Sequence, residues 1–281
     1  MRVLIAGCGR LGGAAGLALA RAGCEVFGLR RRSGAIPKPI HPISADLADP
    51  DLGSKIPEHV QTVVYALTPA SRDEASYRAS YVDGLRRLLT LPALADPSIH
   101  WLFVSSTAVY GNADGDWVDE QTPARPERFN GHVLLEAESL LASRRSSVCL
   151  LRLAGIYGPG RLHLISQLRL GALRVSRQHP HWGNRIHSDD AARLISQLVR
   201  NRTDGVVNGV DSCSASDAET ADWLCARMNL PPALDRDQAA APRANKRIRS
   251  TRLPRLPFYH RYADYRAGYS AVLDTELEQN S

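Results

Sequence analysis

Gly7-Cys8-Gly9-Arg10-Leu11-Gly12 spells G-x-G-x-x-G, a spacing suited to a turn that holds a negatively charged group against a helix N-terminus. In this pattern Gly7 makes the tight turn, Gly9 removes a side chain where a pyrophosphate must approach the backbone, and Gly12 lets helix and strand pack closely. Arg10 and Leu11 start the helix, where exposed N–H groups and the peptide dipoles favour phosphate charge. A glycine-rich turn with no ligand is the competing reading of such a match standing alone. Here an apolar run, Val3 to Ala6, precedes the motif and a helical pattern, Leu11 to Ala22, follows it, so dinucleotide binding is the expectation.

In the NAD version of this turn an acidic residue about 20 positions beyond the glycines accepts hydrogen bonds from the adenosine ribose. That place holds Arg30-Arg31-Arg32. A guanidinium forks onto a 2′-phosphate that a carboxylate would repel, so Arg30 and Arg31 point to NADP rather than NAD, against the rival reading of a solvated basic turn. Asp46 and Leu47 follow a third strand, where a carboxylate can accept from the adenine amino group. Ala66 and Leu67, at the end of a strand from Thr62, complete the expected cofactor-binding set.

The elements that must position these residues alternate. Strands are expected near Val3 to Ala6, Glu25 to Leu29, Thr62 to Ala66, Ile99 to Ser105 and Val148 to Leu153, with helices near Leu11 to Ala22, Ala75 to Leu91 and Asn130 to Ser143. Such alternation predicts an α/β fold, a doubly wound parallel sheet of the Rossmann type with a small C-terminal substrate-binding region. Residues 1–155 are expected to form the NAD(P)-binding core, and 156–281 a mixed segment that completes it and forms the substrate region. Loops between Gly155 and Arg185 are rich in Gly, Pro, His and Arg. Their Arg161, His163, Arg174, Arg177, His179, His181, Arg185 and His187 either hold a phosphorylated or nucleotide-linked substrate or simply keep the loops solvated. Ser188-Asp189-Asp190 opens one further helix and the capping box Ser216 to Glu219 another, while Asp235 to Pro257 reads as a flexible stretch.

Composition narrows the class. With 281 residues, 44% hydrophobic and 23% charged, the chain can bury a full core, and no apolar run reaches the roughly 18 residues of a membrane span. A soluble protein is expected, because Gly7 to Gly13 interrupts the first apolar run before a signal peptide can form. Five cysteines with no C-x-x-C pair fit a reducing cytoplasm and offer no metal site. The net charge of +6 is spread out, without the aromatic interleaving or zinc-finger spacing of a nucleic-acid binder, so the expected partner is a small molecule.

The stretch Leu102-Phe103-Val104-Ser105-Ser106-Thr107-Ala108-Val109-Tyr110-Gly111 resembles the extended short-chain dehydrogenase/reductase superfamily, in its NAD(P)-dependent epimerase/dehydratase branch. Leu151 to Gly160, Arg185 to Ala192, Tyr81-Val82-Asp83-Gly84 and Asp264 to Gly268 are similar to later signatures of that branch, in the same order. The resemblance implies hydride transfer between a nicotinamide and a sugar-nucleotide-like or other carbonyl/alcohol substrate, with Ser106 as the active-site hydroxyl. It also implies a Tyr-x-x-x-Lys on the next helix, and there the chain departs. Alignment on Glu138 puts Asn130 at the Tyr position and Leu134 at the Lys position, neither of which transfers a proton. His132 and Glu136 lie on the same helix and read as surface residues. Two functions stay open: an atypical oxidoreductase or epimerase-like enzyme, or a non-catalytic NADP(H)-binding sensor or interaction module.

Overall fold

Val3, Leu4, Ile5 and Ala6 are wholly buried, an unbroken apolar run of the kind that suits a central parallel strand covered on both faces. The computed structural model describes residues 1–235 and 244–279. Its main sheet contains β1 (Arg2–Ala6), β2 (Glu25–Arg30), β3 (His41–Ser44), β4 (Thr62–Tyr65), β5 (His100–Ser106), β6 (Val148–Leu153) and β7 (Gly205–Gly209), in the order β7-β6-β5-β4-β1-β2-β3. The pairings of β1 with β2 and β4, of β2 with β3 and of β4 with β5 are all parallel. Strand order therefore reverses between β1 and β4, and in open α/β sheets ligands bind at the carboxyl ends of the strands beside such a switch. The doubly wound expectation is met.

The longer helices are α1 (Arg10–Arg21), α2 (residues 74–89), α3 (Phe129–Arg144), α4 (His163–Arg169), α5 (Ser188–Arg200), α6 (Asp217–Arg227) and α7 (Tyr265–Gln279). Asp73 caps α2 by accepting from the Ser76 N–H at 2.8 Å, and the middle of that helix widens into a π turn, Ala79–Asp83. Ser216 caps α6 through the Glu219 N–H at 3.0 Å. The Glu219 carboxylate meets Arg266 at 3.0 Å. Among the described residues no helix is long and apolar enough to cross a membrane.

Two compact units divide the chain. The first comprises residues 1–110, 124–152 and 191–207; the second comprises 111–123, 153–190 and the chain from 208 onward. In the second unit Gly155–Tyr157 pairs in parallel with Arg185–His187, above a core that includes Ile165, Leu168, Leu224, Tyr265 and Tyr269. The stretch expected to be flexible is held in place over 244–257. Arg247–Ile248 pairs with Trp117–Val118, and the Glu120 carboxylate accepts from the Thr251 N–H and hydroxyl at 2.8 and 2.9 Å and from the Ser250 hydroxyl. Ile248 and Leu253 are buried as well, so apolar anchors and polar staples together hold the segment. Residues 236–243 of the expected stretch lie outside the described residues.

Candidate functional site

The glycine turn is shaped by what surrounds it. Gly7 has φ +94°, and a Cβ there would lie 2.6 Å from the Ala66 carbonyl carbon and 2.7 Å from the Leu67 nitrogen, so only glycine fits. The Gly7 and Cys8 N–H groups donate to the Leu29 carbonyl at 3.1 and 3.0 Å, tying the turn to the end of β2. A Cβ at Gly12 would run into the Gly7 carbonyl and sit 3.1 Å from Ile5, so α1 lies directly on β1. Gly9, the N-cap of α1, is the contrasting case: nothing lies within 4 Å of a Cβ built there. No side chain caps α1 and its first turn carries no acid. An open space in front of a helix N-terminus with no carboxylate of its own is what an anionic phosphate requires, and the residues present fit a dinucleotide.

Beyond the turn the chain gathers charge at the next strand end. Arg30 ends β2, and its field opposes the burial that pushes the neighbouring Cys8 thiol up to about 11, which leaves that thiol protonated and unreactive. Arg31, with a side chain 73% exposed, places its Nε 4.0 Å from Asp46 Oδ2. Asp46 Oδ1 accepts from the Ala48 N–H at 3.0 Å, so this carboxylate shapes its own turn while facing Arg31. Leu47 packs on α2, where a Cβ at Gly84 would approach its Cδ1 to 2.7 Å. The structure thus brings Gly7, Gly12, Ala66 and Leu67 together at β1 and β4, and Arg31 and Asp46 beside the ends of β2 and β3.

At the end of β5 the Ser106 hydroxyl accepts from the Ala108 N–H at 3.2 Å, capping the short turn Thr107–Val109. That bond uses an oxygen lone pair and leaves the hydroxyl proton available. The first turn of α3 presses on the same place, because a Cβ at Gly131 would run into the Ala108 carbonyl. Asn130 is half-buried beside it, Leu134 is only 3% exposed, and His132 lies on the surface with Glu136, which pairs with Arg78 at 2.9 Å.

Behind this turn lies a network that sequence reasoning missed. Glu138, 2% exposed, takes both arms of Arg152, at 2.6 Å from NH2 and 3.1 Å from Nε, and accepts from the Ser105 hydroxyl at 2.6 Å. Arg152 also covers the Tyr110 ring at 4.9 Å. These contacts lock β5, α3 and β6 together directly behind Ser106. The only signal was Glu138 itself, an acid at a helix position whose neighbours are apolar.

In the second unit the cationic loop set is largely occupied by local partners. Arg177 pairs with Asp222 at 2.7 Å, His181 with Asp217 at 3.0 Å, and Arg185 with Asp217 at 3.5 Å, while Arg174 donates to the Gly171 carbonyl at 2.9 Å. His187 is buried, with its ring 4.0 Å from that of Tyr262, and burial holds its imidazole below the ordinary value and therefore neutral. Asp211 is buried too, accepts from the Cys213 N–H at 3.2 Å through Oδ1, and has no hydrogen-bond partner at Oδ2 among the described residues. Burial pushes its carboxyl from 3.8 up to about 7. A carboxyl raised in the folded state binds its proton more tightly there than when unfolded, so its contribution to stability is full below about pH 4 and is lost as pH rises through about 7. Asp211→Asn is expected to flatten stability across that window and to stabilise the protein at alkaline pH. Urea midpoints of both proteins measured across the window check this, and parallel curves would contradict it.

A model of the NAD dependent epimerase/dehydratase family matches residues 3–210. The chain belongs to that family. It is similar to a Methylobacillus flagellatus protein provisionally named an NAD-dependent epimerase/dehydratase, with 35% identity, 98% of each chain covered and a TM-score of 0.79. It is also 36% identical to Protein YeeZ of Escherichia coli (strain K12) over 121 residues, which span 43% of this chain and 42% of that protein. Two more distant structures share the fold. MoeE5 in complex with UDP-glucose and NAD has 21% identity and a TM-score of 0.78, covering 100% of this chain and 99% of the other. The human epimerase family protein SDR39U1 with NADPH has 20% identity and a TM-score of 0.78, covering 98% of this chain and 99% of the other. Membership agrees with the resemblance carried by Leu102 to Gly111 and Leu151 to Gly160, and it makes the cofactor of this fold a nicotinamide dinucleotide.

Proposed function

We propose that the chain is an NADP(H)-dependent oxidoreductase or epimerase-like enzyme of this family, acting on a sugar-nucleotide-like or other carbonyl/alcohol substrate. The observation that carries this reading is the open space at Gly9 in front of an acid-free helix N-terminus, with Arg30 and Arg31 at the next strand end. Gly7, Gly9, Gly12 and the backbone of Arg10 and Leu11 hold the pyrophosphate, Ala66 and Leu67 line its far side, and Arg30 and Arg31 hold the 2′-phosphate. Asp46 orients Arg31, and Leu47 lies against the adenine. The bound nicotinamide supplies hydride transfer. Ser106 donates a hydrogen bond to the substrate oxygen and polarises it, and neither Asn130 nor Leu134 moves a proton. Residues 1–155 carry the cofactor, and 156–281 complete the core and form the substrate-binding region, in a cytoplasm whose reducing conditions suit five free cysteines.

Buried Leu134 favours a second reading, a non-catalytic NADP(H) sensor, because no ammonium stands on α3 to assist a phenol. Single-turnover oxidation of bound NADPH against sugar nucleotides, aldehydes and ketones separates the two. Hydride transfer to any of them supports the enzyme; cofactor binding without any transfer supports the sensor.

Cofactor choice gives a sharper expectation. A charge-assisted hydrogen bond is worth about 1.5 to 3 kcal/mol, or roughly ten- to hundredfold in affinity. Arg31 is largely exposed, so screening holds the preference toward the lower end, and NADPH is expected to bind about tenfold tighter than NADH. Arg30→Asp removes a donor and presents a carboxylate to a free 2′-hydroxyl, so the preference should reverse. Fluorescence titration of both cofactors into the variant decides it, and a retained NADPH preference would return Arg30 to the role of a solvated turn residue.

A further inference from the structure

Several arginines of the second unit face a carboxylate: Arg177 meets Asp222 at 2.7 Å, Arg227 meets Asp274 at 2.7 Å, Arg249 meets Asp119 at 3.1 Å and Arg266 meets Glu219 at 3.0 Å. Arg247 is held differently. Its guanidinium carbon lies 5.1 Å from the centre of the Trp117 ring and 4.8 Å from that of Trp182, and its Nε donates to the Gly115 carbonyl at 2.6 Å. Among the described residues no carboxylate pairs with it, and its two terminal nitrogens have no hydrogen-bond partner. Two indole faces thus fix a planar cation without a counter-charge.

The surrounding backbone fixes the rings in turn. Trp117 and Arg247 are opposite one another in the parallel pairing of Trp117–Val118 with Arg247–Ile248, and Trp182–Gly183 pairs with Ala215–Ser216. Asn245 joins the pieces. Its Oδ1 accepts from the Trp182 N–H at 2.9 Å, its Nδ2 donates to the Pro180 carbonyl at 3.0 Å, and its carbonyl accepts from the Ala113 and Gly115 N–H groups at 3.1 Å. Gly115 has φ +89°, and a Cβ there would lie 3.1 Å from Trp182 Nε1, so glycine lets the indole close on this turn. Trp117 nonetheless keeps 47% of its surface exposed. All of these residues belong to the second unit. An exposed indole braced in this way offers a face on which a planar ring stacks, and the N–H edge of the guanidinium beside it is a fork for phosphoryl oxygens.

We propose that Trp117 and Arg247 form a binding site for a nucleoside phosphate, whose base stacks on the Trp117 indole and whose phosphoryl oxygens accept from the terminal N–H groups of Arg247. Trp182 and the Gly115 carbonyl hold the guanidinium for it. Every base has a stacking face, so the site selects a nucleoside phosphate rather than one base. None of these residues is in the proposed cofactor set, so the site stands whether or not Gly9 marks the pyrophosphate.

Calorimetric titration of uridine 5′-monophosphate into the full chain at saturating NADPH, which occupies the Gly9 space, tests the proposal. Saturable binding of one UMP per chain is expected. Trp117→Ala changes an exposed side chain, so the thermal midpoint should fall only slightly, while UMP binding weakens about five- to a hundredfold. Arg247→Gln should weaken it roughly ten- to a hundredfold, and both variants should keep wild-type NADPH affinity. Ribose 5-phosphate, which lacks the base, should bind more weakly than UMP and lose nothing in Trp117→Ala. UDP-glucose titrated alongside identifies the source: binding tighter than UMP marks the nucleotide part of a substrate, and binding no tighter marks a free nucleotide. Failure of the wild type to bind UMP, or equal UMP affinity in wild type and Trp117→Ala, would overturn the proposal and leave the stack as a brace between two strands. A wild-type protein that fails to bind NADPH would overturn the cofactor reading alone, and the UMP affinities of the variants would still decide this one.

Discussion

Gly9→Val is expected to abolish NADP(H) binding while leaving a folded protein. A Cβ at Gly9 meets no protein atom within 4 Å, so valine introduces no internal clash. Its isopropyl group instead fills the space in front of the α1 N-terminus that a pyrophosphate would use. Gly7 and Gly12 do not allow so clean a test, because a side chain at either would strike backbone atoms and disturb β1 and α1. Circular dichroism and a thermal midpoint report the fold, and cofactor titration reports the site. Undiminished affinity in a folded Gly9→Val protein would place the phosphates elsewhere.

Glu138→Ala should have the largest effect on stability. It leaves the Arg152 guanidinium, with a side chain 7% exposed, buried without its counter-charge and takes the acceptor from the Ser105 hydroxyl. Breaking a buried pair from one side costs about 3 to 5 kcal/mol, because the desolvated charge remains. Replacing both partners with apolar residues of similar size, Glu138→Leu with Arg152→Met, should recover most of that loss, since no buried charge is then left. Urea unfolding of the single and double variants measures this. A loss below about 1 kcal/mol in Glu138→Ala would mean that water reaches Arg152 and replaces the carboxylate.

What could be read from the sequence was local. The glycine turn announces itself because three positions with distinct steric needs fall within six residues, between an apolar run and an amphipathic helix. Strands β1, β2, β4, β5 and β6 were legible for the same reason, as short apolar runs, whereas β3 was placed only as the strand before Asp46 and β7 was not read. What escaped depends on partners far along the chain. The Glu138 and Arg152 side chains are 14 residues apart, and only the packing of α3 on β6 shows that they share one buried site. Glu120 reaches 131 residues forward to Thr251, so a segment short of apolar anchors looked loose when it is in fact bonded. The loop arginines and histidines looked like a cradle for a phosphorylated ligand because nothing in the sequence shows Asp217 and Asp222 coming back to meet them.

The most direct test of a nicotinamide site built on Gly7 to Gly12 is calorimetric titration of wild-type protein with NADPH and with NADH, at low and at moderate salt. Saturable binding of one NADPH per chain is expected, about tenfold tighter than NADH at low salt, with the difference shrinking as ions screen Arg31. Equal affinity for the two cofactors would remove the arginines from the 2′-phosphate, and no binding of either would contradict the site as a whole.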